Sequence, residues 1–429
     1  MTDTALTDGV LPLESATYPV PAGRGRWRLS AHRRDFSGQT WQQTMVNYTR
    51  ARARKLERLW DAPAKLTFTV DGAAPDAQWL TELTTDVMAW RWDDTTGTDV
   101  AVFRGVITAA VDTLDEQSHV VTFTVADYLA MLARRLVWAS TTYTALDQDT
   151  IANNLVNLAT APQSSSGTSF APGGYLPIAT ATVNPDGTTR ATPSSQTRTL
   201  TYTGSYIIGT ALDELAKLAS GFDYDVAPAS SVSLGTGNAD ALRIFYPHQG
   251  IQRTDLVYVY GVNVAAVTRS VDSTQYGNYW RVLGNNGSAD PAAAQVYGEA
   301  WNTDSNNVTV NPVGLWASAD NAPSQTLTAA LVAQAGGDLA LKGTLTPTYT
   351  VRLRPGVYVW GSPRMGDTVQ LIVNSGRLAV NTWVKVVGIT YTIGDDGDED
   401  VALTVGLPDY TLSEMFADTE RDVNALVRR

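Results

Sequence analysis

Alternation of apolar and polar residues is the feature of this sequence that most constrains its fold. Near the C-terminus, residues 366–371, 384–393 and 401–407 alternate in this way and are separated by turns. Strict alternation is typical of strands that bury one face. The earlier stretch 66–125 shows the same pattern. The sequence therefore predicts a mainly β protein in which two small β-barrels are accompanied by α+β insertions.

The 429 residues offer room for three or four domains of about 100–150 residues each. Residues 1–23 contain three prolines and no sustained periodicity, which is typical of an extended arm. We predict that the remaining units are a first β-barrel domain with a closing helix (24–137), an α+β insertion domain (138–250), a second, discontinuous β-barrel domain (251–275 and 355–408), a second insertion domain (276–354) and a C-terminal helical tail (409–429).

Helices are predicted where helix formers cluster or where apolar residues recur at a spacing of three and four. Asp127 and Asp149 or Thr150 are candidate N-caps, and Gly221 is a stop signal. The predicted helices are 50–60, 128–136, 151–159, 208–218, 327–341 and 412–427.

Composition excludes several kinds of chemistry. The chain has no cysteine, so disulfides, thiolate metal sites and cysteine nucleophiles are excluded. Its three histidines lie far apart, without the spacing of a metal motif. No apolar run approaches the ~20 residues of a membrane span, and the N-terminus does not resemble a secretory signal. We expect no cofactor and no membrane segment.

Charge is distributed unevenly. The chain carries −12 overall, which argues against a DNA-coating role, but residues 24–58 carry +8 and the rest −20. A basic surface on an acidic body is suited to an acidic neighbour, including a second copy of the chain. The alternative is a set of solvated arginines on an exposed loop and helix. The candidate interface residues are Arg24, Arg26, Arg28, Arg33, Arg34, Arg50, Arg52 and Arg54.

The acidic turn 394–400 is the one candidate for a cation site, because calcium prefers carboxylate-rich loops. The turn lacks the terminal glutamate of a full calcium loop, so a charged hairpin is the favoured interpretation. The candidate ligands are Asp395, Asp396, Asp398 and Asp400. Asp112, Asp115 and Glu116 lie in a predicted turn with no second catalytic group beside them, and the sequence predicts no enzyme.

Five features in a fixed order resemble minor tail proteins of the baseplate-hub or tail-tip hub type, found in long-tailed siphoviruses that infect actinobacteria. Together they span most of residues 24–408. They are the arginine-rich lead-in to the strand 66–70, the strand 102–107 that turns at glycine, the strand and helix 121–136, the segment 211–216 running into 221–224, and 363–369 followed by the final strands to 407.

The resemblance implies two pseudo-symmetric barrels per chain and a homotrimeric ring with a six-fold-like face. It implies docking on the distal end of a hexameric tail tube, with the distal tail protein, the tape measure protein and other minor tail proteins as neighbours. Genomic DNA would pass only transiently through a channel that the hub gates. The protein would be made in the host bacterial cytoplasm and reside at the tail tip of the virion.

The alternative function is a tail-tip protein that binds cell-wall carbohydrate or degrades the cell wall. Trp301, Trp316 and Trp360 fall in predicted loops, where exposed rings stack on sugars or fill protein interfaces. Many relatives carry a long C-terminal extension with cell-wall-cleaving modules. Here about twenty residues follow the last barrel strand, so we expect no enzyme domain after it.

Overall fold

The computed structural model describes residues 27–34, 41–47, 51–75, 77–93, 97–160, 176, 178–180, 197–216, 221–228, 240–246, 249–274, 276–285, 295–302, 314–322, 327–395 and 398–406. Strands predominate over four α-helices and one short 3-10 helix (Ala77–Trp79) in these ranges, which confirms the mainly β prediction. Within them, every helix is too short or too polar to cross a membrane. The predicted arm (1–23) and the whole of the predicted C-terminal tail (409–429) lie outside the described residues.

The first row of strands occupies the N-terminal third of the chain. Its hydrogen-bonded order is β2-β1-β5-β6-β7-β4-β3, all antiparallel. A short helix, α1 (Leu129–Leu132), follows it. The strands are β1 (Trp27–Arg34), β2 (Trp41–Asn47), β3 (Arg52–Leu59), β4 (Lys65–Asp71), β5 (Thr85–Asp93), β6 (Thr98–Leu114) and β7 (His119–Asp127).

The first insertion has its own apolar core. Helices α2 and α3 pack together over a two-stranded sheet, β10-β8, and a three-stranded sheet, β11-β12-β9. Ile151, Leu155 and Leu212 are buried between them. The elements are β8 (Thr141–Asp147), α2 (Gln148–Thr160), β9 (Ile178–Thr180), β10 (Thr197–Tyr202), α3 (Ile208–Ala216), β11 (Asp223–Ala227) and β12 (Asp240–Phe245).

The second row of strands is interrupted by a small second insertion. In the insertion, helix α4 packs on the sheet β16-β15-β17, around Trp280 and Leu331. The second row has the order β13-β19-β20-β21-β18-β14. The elements are β13 (Gln252–Val259), β14 (Val264–Ser270), β15 (Tyr279–Gly284), β16 (Tyr297–Trp301), β17 (Ala317–Ala322), α4 (Thr328–Lys342), β18 (Thr348–Leu353), β19 (Thr368–Ser375), β20 (Leu378–Ile393) and β21 (Glu399–Gly406).

Each row bends back on itself. In the second row, the end strands β13 and β14 are consecutive in the chain and are joined by a bridge between Tyr260 and Val264. In the first row, the Arg54 guanidinium on β3 donates a hydrogen bond to the Trp27 carbonyl on β1 at 3.2 Å. Since β3 contacts β1 in the first row and β13 meets β14 in the second, both rows curl in the manner of small barrels. One continuous apolar core fills both of them.

The two rows repeat the same topology over five strands. The antiparallel order β5-β6-β7-β4-β3 in the first row corresponds to β19-β20-β21-β18-β14 in the second, and the order along the chain also agrees. The sixth strand differs in direction, because β1 is antiparallel to β5 whereas β13 is parallel to β19. The chain therefore contains an internal structural repeat.

Buried side chains follow this repeat position by position. Val121, Phe123 and Val125 of β7 correspond to Val401, Leu403 and Val405 of β21, and all six are buried. Each central strand, β6 and β20, is long and has a bulge opposite the strand that follows it in the chain, between Ile107 and Ala109 opposite β7 or between Val386 and Gly388 opposite β21. The two bulges occupy equivalent positions, so they show which residue of one row corresponds to which residue of the other.

Three predictions about elements were wrong. Residues 50–60 are not helical, because β3 pairs with β4 on one edge and β20 on the other, and this pairing overrides the helix-forming composition. Residues 128–136 are helical only over α1, after which Leu136 bridges to Ile207. The strand β18 pairs with β14 and β21 in the large sheet, although the predicted second insertion, 276–354, included it. The helices predicted at 151–159, 208–218 and 327–341 are confirmed as α2, α3 and α4.

Candidate assembly surfaces

The two rows are joined by main-chain pairing between β3 and β20, which we call the internal seam. Six residue pairs connect the strands, from Leu59 opposite Gly388 to Arg54 opposite Ile393. Leu56 and Tyr391 lie opposite each other and are buried. The Arg54 guanidinium also donates to the Gly394 carbonyl at 2.7 Å. The seam therefore makes the two rows one 13-stranded sheet.

An ion pair beside the seam connects the same two rows. The Arg91 guanidinium on β5 donates to both carboxylate oxygens of Glu399 on β21, at 3.0 and 2.6 Å. The Trp27 indole N–H donates to the same carboxylate at 2.9 Å. Bidentate arginine–carboxylate pairs combine charge with fixed geometry. This contact helps to set the angle between the rows.

One edge of the first row is exposed where the second row is covered. Residues 108–114 of β6, called the β6 edge, pair with β7 on one side, and no described strand pairs with them on the other. Val111 and Leu114 are 61% and 75% exposed there. Their equivalents in β20 lie in the internal seam, where Ile393 is buried. Unpaired strand edges present a row of open donors and acceptors.

A second exposed edge lies in the other row. The strand β14, called the β14 edge, pairs with β18, and beyond the bridge at Val264 no other described strand pairs with it. Thr268, Arg269 and Ser270 are exposed on it. Its equivalent is β3, the other member of the internal seam. The structure thus shows two exposed strand edges that the sequence did not predict, because exposed and covered strands show the same alternation.

The predicted interface arginines have different positions. Arg28 lies 2.9 Å from the Asp99 carboxylate, Arg52 is exposed and Arg54 is buried in the internal seam. Arg54 therefore binds within its own chain. The main chain of Arg33 and Arg34 lies in β1. The structure does not describe Arg24, Arg26 and Arg50, and their interface role remains a prediction.

The acidic turn joins two strands of the second row, as a charged hairpin would. Asp400 lies 2.6 Å from the Arg352 guanidinium on β18, so this carboxylate serves a cross-strand ion pair. Asp395 is exposed and Asp398 half-buried, while Asp396 lies outside the described residues. Among the described residues, no three acidic or histidine side chains are grouped in a way that would hold a metal ion.

The candidate carboxylates near residue 115 have a structural role. The Asp115 carboxylate accepts hydrogen bonds from the backbone amides of Gln117 and Ser118 at 2.8 and 2.7 Å, and these bonds lower its pKa. Asp112 lies 3.3 Å from His119 across the β6–β7 hairpin. These groups line a turn and do not form a catalytic pair.

Charged groups are buried where the first insertion meets the strand rows. Arg104 of β6 donates to Asp240 of β12 at 3.1 Å, and the two side chains are 2% and 1% exposed. Lys385 of β20 lies 3.6 Å from the Asp223 carboxylate of β11 and 3.3 Å from the centre of the Trp60 ring. Burial lowers the pKa of Lys385. Paired charges thus fix the insertion to both rows.

Asp61 lies in the same junction. Its carboxylate accepts a hydrogen bond from the Tyr224 amide at 2.9 Å. Burial, followed by the nearby Asp223 charge, raises the pKa of Asp61 to about 7. Asp127 accepts from the Ala64 and Leu129 amides, and burial raises its pKa to about 7 as well. Two carboxyl groups at this contact therefore take up protons near neutrality.

We expect the variant Asp61→Asn to change how stability depends on pH. The folded state favours the protonated Asp61, so this group stabilises the protein most in acid, and that contribution is lost as pH rises through about 7. Asparagine keeps the acceptor for the Tyr224 amide and tolerates the positive φ of 47° at this position. Urea unfolding should show a gain over the wild type of up to a few kcal/mol at about pH 8 and a much smaller gain at about pH 4. An equal effect at both pH values would contradict the assignment.

The three tryptophans of the carbohydrate alternative lie in two settings. Trp301 and Trp316 are 50% and 49% exposed on the second insertion. Trp301 stacks on Tyr279, with ring centres 6.3 Å apart. Trp360 instead packs against the main core, 5.6 Å from the Tyr391 ring and 4.8 Å from the Arg91 guanidinium. Trp360 therefore contributes to the junction between the rows.

Comparison with known proteins gives a fold likeness and no sequence family. No protein-family profile matches the sequence. No curated protein matches it at a significant level. The structure does resemble those of solved tail proteins, which include a tail protein from Neisseria meningitidis MC58 (TM-score 0.48, 10% identity, 91% of this chain and 99% of that chain) and prophage tail protein gp18 from Listeria monocytogenes EGD-e (TM-score 0.45, 12% identity, 94% and 99%).

The structure is also similar to that of the 43 kDa tail protein of prophage MuSo2 from Shewanella oneidensis, with a TM-score of 0.52 and 9% sequence identity. The match covers 90% of this chain and 99% of that chain. At this identity the likeness concerns the fold alone. The chain has a β-rich fold similar to that of a prophage tail protein.

Proposed function

We propose that this chain is a non-enzymatic structural protein of a phage virion, the hub at the tip of a long tail. The observation that carries the proposal is the internal repeat of five strands in a fold similar to a prophage tail protein. A chain with two equivalent rows presents two similar faces. Three copies in a ring would then present six such faces, which suits docking on a six-fold tail tube.

The partners and tail type follow from the sequence resemblance and are part of the proposal. The hub would sit at the distal end of a non-contractile tail, contacting the distal tail protein, the tail tube, the tape measure protein and other minor tail proteins. Its role would be mechanical. It would anchor the tip proteins and open a channel through which genomic DNA leaves.

Electron microscopy of virions carrying an epitope-tagged copy tests the location. Gold-labelled antibody is expected at the far end of the tail and nowhere else. Label along the whole tube, or at the head, would contradict a tip hub. An untagged virion treated with the same antibody is the matched control.

A carbohydrate-binding tip protein is the second candidate, favoured by the half-exposed Trp301 and Trp316. Exposed aromatic rings stack on sugar faces. Purified protein incubated with insoluble host cell wall would co-sediment with it if this candidate is correct, and Trp301→Ala would release it. A zymogram on the same material would separate binding from degradation. For the hub we expect neither sedimentation nor clearing.

A further inference from the structure

We propose that copies of this chain join head to tail by main-chain pairing, with residues 109–114 of β6 in one copy against β14 in the next. The internal seam would thus be repeated between chains. This inference rests on the proposed ring of copies, and it adds the strands, their register and the polarity of the contact.

The internal repeat identifies the two edges as complementary. Within the chain, the C-terminal half of β20 accepts β3 as its neighbour. The equivalent of that half-strand is the β6 edge, and the equivalent of β3 is β14. The β6 edge and the β14 edge are thus the same two surfaces in their unpaired form. Pairing them between copies would repeat a contact that the chain already makes.

Local hydrogen bonds support this equivalence. Immediately before the seam, the Gly366 amide donates to the Val386 carbonyl at 2.8 Å. In the first row, the Leu83 amide donates to the Ile107 carbonyl at the same distance. Both bonds lie on the same side of the central strand, one residue before its bulge. The β6 edge therefore starts where the seam starts.

The register can be transferred from one row to the other. Alignment at the bulges makes residues 109–114 of β6 equivalent to 388–393 of β20. Leu66 of β4 and Tyr349 of β18 are equivalent. Leu66 pairs with Leu56 and Tyr349 pairs with Arg269, so Leu56 and Arg269 are also equivalent. Leu56 is opposite Tyr391 in the seam, and Tyr391 is equivalent to Asp112. Between copies, Asp112 would therefore face Arg269.

The side chains brought together by this register are complementary, although the register was derived from main-chain pairing alone. The carboxylate of Asp112 meets the guanidinium of Arg269, and opposite charges on facing strands stabilise a sheet. Thr113 would face Thr268, and the exposed Leu114 would face Val267. The contact would cover apolar side chains and open main-chain groups that are now exposed to solvent.

The contact is head to tail, because the two edges belong to different rows of each chain. Contacts of this kind build closed rings when the rotation between copies closes, and filaments when it does not. A ring of three chains would contain three internal seams and three seams between chains. The six rows would then alternate regularly around the ring.

Cysteine cross-linking tests the register without interference from native thiols, because the chain contains no cysteine. Directly opposed residues on paired strands are close enough for a disulfide. The double variant Thr113→Cys with Thr268→Cys, oxidised in the presence of tail tubes, is expected to give linked dimers and a covalent trimer on a non-reducing gel. If only monomer is seen under these conditions, the proposed pairing is wrong.

The controls separate this inference from the proposed function. Thr113→Cys alone should give no linked species, because residue 113 would face residue 268 and not its own copy. The mismatched pair Thr113→Cys with Thr348→Cys should also stay monomeric. Strong linking in either control would overturn the register. Trimers seen by microscopy without cross-links from the matched pair would reject the pairing and leave the hub function standing.

Charge reversal tests the facing pair independently. Asp112→Arg and Arg269→Asp each place like charges opposite one another and are expected to weaken self-association about three- to tenfold. The double reversal should restore most of the loss. Because both side chains are exposed, we expect the melting temperature of the separate chains to stay unchanged. Additive losses in the double variant would contradict the contact.

Discussion

Replacing Arg104 with alanine is expected to destabilise the folded chain by about 3–5 kcal/mol, the usual range for breaking a buried ion pair. Arg104 and Asp240 are almost completely buried, and their charges lie 3.1 Å apart between β6 and the first insertion. The ring of Tyr128 also lies 5.4 Å from the Arg104 guanidinium. Alanine would remove the guanidinium and leave the Asp240 carboxylate buried without the charge of Arg104. The insertion should then separate from the strand row first.

Urea unfolding and limited proteolysis measure this effect. The matched control is Arg28→Ala, which removes an arginine from a partly exposed ion pair with Asp99 on the same row. Exposed pairs contribute about 0–1 kcal/mol, so the control should unfold close to the wild-type midpoint. The double variant Arg104→Met with Asp240→Asn should be more stable than Arg104→Ala, because both charges are removed. Equal midpoints for Arg104→Ala and Arg28→Ala would show that the buried pair contributes little.

Replacing Gly250 with alanine is expected to cost more than about 4 kcal/mol, a loss that few single substitutions cause. Gly250 has φ +89°, and a Cβ there would lie 2.1 Å from the carbonyl carbon of Gly366. Gly366 has φ +82°, and its own Cβ would lie 2.1 Å from the Gln249 carbonyl oxygen. The two main chains touch where the first insertion leads into β13. Neither glycine can accept a side chain without moving the other segment.

Gly356→Ala is the matched control for this contact. Gly356 has a similar φ of +79°, but a Cβ would meet no atom within 4 Å. This variant should lose only about 1–2 kcal/mol of folding stability, which is the cost of placing a Cβ on a residue with positive φ. Thermal unfolding of the two variants separates backbone strain from the steric clash. A similar loss of stability in both variants would mean that the two main chains at the Gly250–Gly366 contact can move apart at little cost.

Part of this architecture is predictable from the sequence. Alternation identifies the strands of both rows, because inward side chains such as Val121 and Val401 are apolar at every second position. Helical spacing identifies α2, α3 and α4. Composition misleads at 50–60, since Leu56 and its neighbours form helices well but lie between two partner strands. Long-range pairing overrides such local preferences.

The assembly surfaces and the buried charges are harder to predict. Arg104 and Asp240 are 136 positions apart, and nothing local to either residue indicates its partner. The β6 edge alternates like a covered strand, so Leu114 looks like a core residue in the sequence and is 75% exposed in the structure. Exposure of an edge depends on which strands reach it. Only the three-dimensional arrangement contains that information.

Cryo-electron microscopy of the purified protein bound to tail tubes tests most directly whether this chain is a ring-forming hub. We expect density for three chains at one end of the tube, with six similar lobes formed by alternating first and second rows. Six chains on the tube end, a single chain, or binding along the tube wall would contradict the proposed hub.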